Sequence, residues 1–117
     1  MAIKKLQNNY TTQEQSKRLL ELGVPADSAD LYYWDGINIY SHHVPIIRRK
    51  GDASLMLDIH IPCWSVGRLM EIMDICTSFN PNMVLWDIRE HGGSMIENII
   101  YIFDEYTQAF NFSKLED

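Results

Sequence analysis

Two side chains in this sequence have the type and spacing of a thiol catalyst. Cys63 precedes a predicted helix start, where the positive end of the helix dipole lowers a thiol pKa, and His60 stands three residues earlier as a candidate base. The pattern identifies no Asn or Asp that would orient the histidine. A cysteine beside Trp64 in an apolar stretch more commonly packs in a core. Cys63 and His60 are therefore only candidates for a small thiol-dependent enzyme.

Metal binding and acid–base chemistry have no recognisable motif in the sequence. A zinc site needs three or four ligands at suitable spacing, and no known zinc pattern fits His42, His43, His60, Cys63 and His91. Carboxylate pairs are expected by chance among sixteen acidic residues, so a hydrolytic enzyme stays an unspecific alternative. The sequence therefore predicts no metal and no cofactor, and it leaves a non-enzymatic role the favoured one.

An aromatic cluster surrounds a predicted hairpin turn. Asp35-Gly36 suits a type I′ turn, and the runs 31–34 and 37–40 on either side are rich in strand-forming aromatic and β-branched residues. Alternation along the first run places aromatic rings on both faces of the ribbon, so one face packs on the core and the other exposes tyrosine. Tyrosine and tryptophan are enriched at the centres of protein interfaces. The predicted partner-binding residues are Tyr32, Tyr33, Trp34 and Tyr40.

Capping signals predict three helices. Thr11 and Glu14 have capping-box spacing before a helix over 12–22, and Ser94 and Glu97 have it before a helix over 95–110. Between them, a serine cap and an apolar stripe at helical spacing predict a helix over 66–78.

Strand signals fill the remaining segments. A short strand is predicted over 44–48, and residues 54–61 alternate apolar and polar side chains until Pro62 ends the strand. Residues 83–89 also read as a strand, with Val84, Trp86 and Ile88 on one face. The expected fold is α+β, with a mainly antiparallel sheet of about four to five strands and about three helices packed on it.

Composition and charge limit the classes of function. We expect a flexible arm over residues 1–10 and a single domain over 11–117, with no signal peptide and no membrane span, and hence a cytoplasmic protein. The net charge is −6, and residues 71–117 alone carry nine acidic against two basic residues, a net of −7. Phosphate backbones are bound by many Lys and Arg acting together, so nucleic-acid binding is disfavoured.

Part of the chain resembles a family of small uncharacterised proteins from gut Bacteroides-like bacteria and their phages or mobile elements. The resembling stretches are 12–17, 19–23 and 26–33, together with the step Pro62-Cys63-Trp64-Ser65 that opens a helix, and they cover about a third of the chain. The family has no assigned activity, so the resemblance implies no functional residue. It implies a bacterial, phage-related origin.

These observations lead to three functional hypotheses. The first is a protein-binding accessory module that contacts a host or phage protein through the aromatic hairpin or the acidic C-terminal helix. The second is the thiol or hydrolytic enzyme described above. The third is a structural component that self-assembles by pairing an exposed strand edge, for which 54–61 is the candidate.

Overall fold

Three antiparallel strands and four α-helices make up the part of the chain that the computed structural model describes, which is residues 9–34, 45–48, 60–78 and 82–116. The elements in chain order are α1 Gln13–Glu21, β1 Leu31–Trp34, β2 Ile46–Ile47, β3 His60–Cys63, α2 Val66–Cys76, α3 Asn82–His91 and α4 Met95–Glu105. The α+β class is confirmed. The three strands of the described residues are fewer than the four to five predicted.

The sheet has the strand order β2-β1-β3, so β1 is central. Leu31 pairs with both Ile47 and Cys63, while Tyr32 pairs with Ile46 and Pro62. Pro62 therefore lies inside β3, and the prediction that it ends the preceding strand is wrong. Proline is tolerated there because β3 is at the edge of the described sheet, where a missing N–H breaks no central ladder.

Much of the predicted strand region lies outside the described residues. These parts are the turn at Asp35-Gly36, the second hairpin strand at 37–40 and residues 54–59 of the strand predicted over 54–61. The arm prediction also falls there, except for Asn9 and Tyr10. The Asn9 carbonyl accepts a 2.9 Å hydrogen bond from the Val66 N–H, and Tyr10 forms a bridge with Ser65.

The start of α1 differs by one residue from the prediction. Thr12 is the N-cap and forms a capping box with Gln15, in place of the predicted Thr11 and Glu14. Thr11 is instead completely buried. The chain leaves α1 through Gly23, whose φ of 98° lies in the left-handed region that favours glycine.

The connection from β3 to α2 is fixed by a side chain from the first half of the domain. Ser65 caps α2, as predicted, by accepting the Arg68 N–H at 3.1 Å. Asp30 holds this cap in place because its carboxylate accepts both the Ser65 N–H at 2.9 Å and the Ser65 hydroxyl at 2.5 Å. The sheet and α2 are thus joined at one defined corner.

The segment predicted as a strand over 83–89 is the helix α3, so that prediction is wrong. Val84 is fully buried, whereas the Trp86 side chain is 61% exposed. A strand would have placed these two residues on the same face. Val84 and partly buried Ile88 are four residues apart, which is the spacing of one helix face, and both pack in the core cluster.

Helix α4 begins as predicted and ends earlier. Ser94 and Glu97 form the predicted capping box, but the helix stops at Glu105 and does not continue to Phe110. Beyond it the chain turns back, and the Asn111 N–H donates to the Cys76 carbonyl at 2.9 Å. This return brings Phe110 and Phe112 onto Phe103, with the Phe103 and Phe110 ring centroids 4.4 Å apart.

A single apolar cluster joins α1 to the three C-terminal helices. Its largest fully buried members come from the four α-helices and from the segment between β3 and α2, and they include Leu19, Trp64, Leu69, Ile72, Met73, Val84, Ile99, Ile102 and Phe103. Burial of so many large apolar side chains is the main stabilising contribution to the fold. It also holds the outer faces of α3 and α4 in a fixed arrangement.

Candidate functional site

The Cys63 thiol lies in the interior of the domain. Its Sγ donates to the Thr11 carbonyl at 3.3 Å and lies 3.7 Å from the Thr11 hydroxyl. Burial raises the pKa of Cys63 to about 11. A reactive cysteine needs access to solvent and a lowered pKa, so this environment is that of a structural thiol.

The structure does not bring His60 and Cys63 together. The two residues are three positions apart in β3, and side chains alternate along a strand, so they point to opposite faces of the sheet. The His60 ring packs edge-on against Tyr32, with ring centroids 4.7 Å apart. His60 is therefore not placed to take a proton from the thiol.

The aromatic residues of β1 divide between the two faces of the sheet, as their alternation predicts. Tyr33 is buried, and its hydroxyl donates to the Thr11 carbonyl at 2.8 Å. Tyr32 is partly exposed on the opposite face. The Trp34 side chain and all of Tyr40 lie outside the described part of the chain. Among the described side chains, the hypothesis of a binding hairpin therefore depends on Tyr32.

A second set of aromatic side chains is more exposed than Tyr32 and Tyr33. In the C-terminal helical region, Trp86 is 61% exposed, Tyr101 is 49% exposed and Tyr106 is 42% exposed. Tyr101 lies opposite the apolar stripe of α4, so the amphipathic pattern of this helix accounts for its outward position. The strand predicted over 83–89 gives no reason for an outward Trp86 on a helix. The four-residue spacing of Val84 and Ile88 is the one local signal that also fits a helix.

The outer face of α4 combines an aromatic ring with carboxylates. Glu97, Tyr101 and Glu105 follow one another at four-residue spacing and are all exposed, so they form a stripe along one helix face. Asp104 lies beside this stripe and accepts an ion pair from Arg18 of α1, with Nη2 and Oδ2 3.0 Å apart. Hydrogen bonding to Asp104 raises the pKa of Arg18. This face of α4 thus already binds one guanidinium group.

A cavity of about 270 Å³ opens where α3 passes into α4, and Gly92, Glu97, Asn98 and Tyr101 line it. Asn98 is almost fully buried, and its Nδ2 donates to the carbonyls of Gly92 at 2.9 Å and Ser94 at 2.8 Å. These bonds fix the floor of the cavity.

The turn that leads into this cavity requires glycine. Gly92 and Gly93 adopt φ values of 75° and 87°, which other residues rarely adopt. A Cβ on Gly93 would also lie 2.7 Å from Glu97 Oε1. The Glu97 carboxylate is therefore held close to the backbone of the turn, at the cavity wall.

The described residues show neither the ligand cluster of a metal site nor a helix suited to span a bilayer. No group of three or more His, Cys, Asp or Glu side chains is placed there to hold a metal ion. Among the helices in the same part of the chain, none has the length and apolar character that crossing a bilayer requires.

Comparison of the chain with protein-family models, with curated proteins and with solved structures finds no match. The resemblance to small proteins of gut bacteria therefore stays an expectation. The geometry of the surface just described is the basis on which a function has to be inferred.

Proposed function

We propose that this protein is a non-enzymatic binding module that contacts a protein partner through the exposed aromatic side chains of α3 and α4. The observation that carries the proposal is the exposure of Trp86. Its large apolar side chain is 61% exposed and lies near the middle of the outer face of α3. Tryptophan is the residue most enriched among those that dominate binding energy, because it buries a large area with little loss of conformational entropy. Tyr101 supplies a second such ring on α4.

The helices that carry the Trp86 and Tyr101 rings are held rigidly by the core, as a binding surface requires. The inner faces of α3 and α4 are anchored by Val84, Ile99 and Ile102, all fully buried. A surface held by such a core changes little on binding, so little affinity is lost to reorganisation. The resemblance noted above implies that the partner is a host or phage protein.

The test is affinity capture with matched variants. The tagged chain is incubated with nuclease-treated bacterial lysate, and captured proteins are identified by mass spectrometry. We expect one stoichiometric partner with the wild type and its loss with Trp86→Ala. Ile47→Ala is the control, because Ile47 is similarly exposed, at 68%, but lies on β2. Circular dichroism checks that both variants fold.

Two other outcomes of this capture experiment would contradict the proposal. A partner that Trp86→Ala retains and Ile47→Ala loses would move the binding surface to the sheet. Absence of any partner with the wild type would refute a binding module. We expect Trp86→Ala to act without unfolding the chain, since the side chain is largely in water.

Self-assembly is the second candidate, and one observation favours it. Ile46 and Ile47 are 39% and 68% exposed on β2, an outer strand of the described sheet. An apolar outer strand is able to pair with a second copy of the chain. Its test is co-expression of a tagged and an untagged copy: recovery of the untagged copy with the tagged one, and its loss with Ile47→Ala, would support this candidate.

A further inference from the structure

We infer that the cavity between α3 and α4 receives an arginine side chain of the partner protein. The inference rests on the proposed binding function and specifies the chemistry that its surface recognises. The elements that carry it are the size of the cavity, the groups in its wall and the charge around it.

The size of the cavity suits one side chain. Its volume of about 270 Å³ is slightly below the range of about 300–1,000 Å³ typical of small-molecule sites. A single long side chain that enters from a partner surface fits in a space of this size. The cavity also adjoins Tyr101, one of the rings of the proposed surface.

The wall of the cavity offers the two contacts that a guanidinium prefers. The Tyr101 ring provides an aromatic face on which a planar cation stacks. The Glu97 carboxylate provides a negative charge and hydrogen-bond acceptors for the N–H groups. The methylene stem of an arginine would lie against the carbon atoms of the ring.

The dipole of α4 alone would favour an anion at the start of the helix, so its effect has to be compared with that of the Glu97 charge. The capping box reverses that preference because Ser94 Oγ accepts the Glu97 N–H, while Glu97 Oε1 accepts the Ser94 N–H, each at 3.1 Å. Two of the amide donors that would bind an anion are thus occupied. The Glu97 carboxylate adds a full negative charge at the same point.

The same helix face shows this recognition within the chain. Arg18 of α1 reaches Asp104, which lies seven residues after Glu97 and hence on the same face of α4. The wider surroundings have the matching sign, since residues 71–117 carry a net charge of −7. Both observations favour a cationic side chain over a neutral one.

The experiment is a titration of the ¹⁵N-labelled full chain with a hexa-arginine peptide, followed by NMR. We expect chemical-shift changes at the Gly92 and Gly93 amides and at the Asn98 side-chain amide, and none with the matching hexa-citrulline peptide. Glu97→Gln keeps the capping box, since glutamine serves at this position, and removes the charge. We expect it to weaken binding on the order of tenfold.

Glu105→Gln is the matched control, because it removes the same charge from the same helix face two turns away. We expect less than about a twofold change. Equal weakening by both variants would overturn the inference in favour of diffuse attraction, and so would unchanged binding by Glu97→Gln. Shifts at the same amides on titration with inorganic phosphate would overturn it in favour of an anion site. If Glu97→Gln binds normally while Trp86→Ala still loses the captured partner, the binding module stands and only the arginine site is refuted.

Discussion

Thr11 shows how much one buried hydroxyl contributes to this fold. Its Oγ1 lies 2.8 Å from Ser16 Oγ and accepts the Trp64 N–H at 3.1 Å. Its carbonyl receives the Tyr33 hydroxyl and the Cys63 thiol. Buried polar groups stabilise a structure only when they are hydrogen-bonded, and Thr11 satisfies several at once from α1, β1 and β3.

The neighbouring thiol gives a prediction for pH. Burial raises the pKa of Cys63 from its ordinary 9.0 to about 11, so folding favours the neutral thiol. The stabilising effect is complete below about pH 9 and is lost as the pH rises towards 11. We expect the free energy of unfolding to fall by roughly 2 kcal/mol across this range. Urea unfolding at several pH values measures it.

Cys63→Ala is the control for this titration. Tyr33 also has a raised pKa because of burial, so its hydroxyl contributes a decrease of its own at alkaline pH. The contribution of Cys63 is therefore the difference between the two pH profiles. Parallel profiles for wild type and variant would show that the thiol titrates normally in the folded protein.

For single residues, the sequence predicts that a role such as an N-cap is present better than it predicts which of two neighbouring residues has that role. Thr11 and Thr12 both precede a suitable capping partner by three residues, so local spacing does not choose between them. The choice depends on Thr11 bonding to Trp64, a contact made across the fold. Tyr33 is similar, because alternation predicts its face and only the structure shows that its hydroxyl reaches the Thr11 carbonyl.

At the scale of elements, the capping box of α4 gives the clearest expectation. Ser94→Ala removes the acceptor for the Glu97 N–H, and such losses cost about 1 kcal/mol of stability. Urea unfolding of the variant and the wild type measures the difference. Ser78→Ala serves as the comparison, because Ser78 is an exposed serine beyond the end of α2, and its expected effect is within about 0.5 kcal/mol. Equal effects would mean that the cap contributes nothing specific.

The starts of α2 and α4 are predictable from the sequence, whereas the helical structure of α3 is not, and the reason is physical. A cap is a local interaction within four residues, and those of α2 and α4 are where the sequence places them. In α3 the residues Val84, Trp86 and Ile88 fit a strand, while Val84 and Ile88 also fit a helix. Packing against α4 decides between them, and that contact is not encoded in the local pattern.

For the whole molecule, the uneven charge predicts a salt-dependent interaction. Residues 1–70 carry a net charge of +1 and residues 71–117 a net of −7. Raising the salt from about 0.1 M to about 1 M shortens the screening length from about 10 Å to about 3 Å. We expect capture of the partner to weaken clearly across this range, as measured by the amount retained on immobilised protein. If the retained amount did not change, binding would depend on apolar contacts at Trp86 and not on the charge of this region.

The bonds of Thr11 also set an order of events in folding. Thr11 and Trp64 are 53 residues apart, so their contact closes a long loop and carries a large entropic cost before it stabilises anything. The contacts between α3 and α4 close a much shorter loop. We therefore expect α3 and α4 to pack together early and the docking of α1 onto β3 to follow. On a ribosome α1 would emerge before the strand onto which it docks, and would have to wait for that strand.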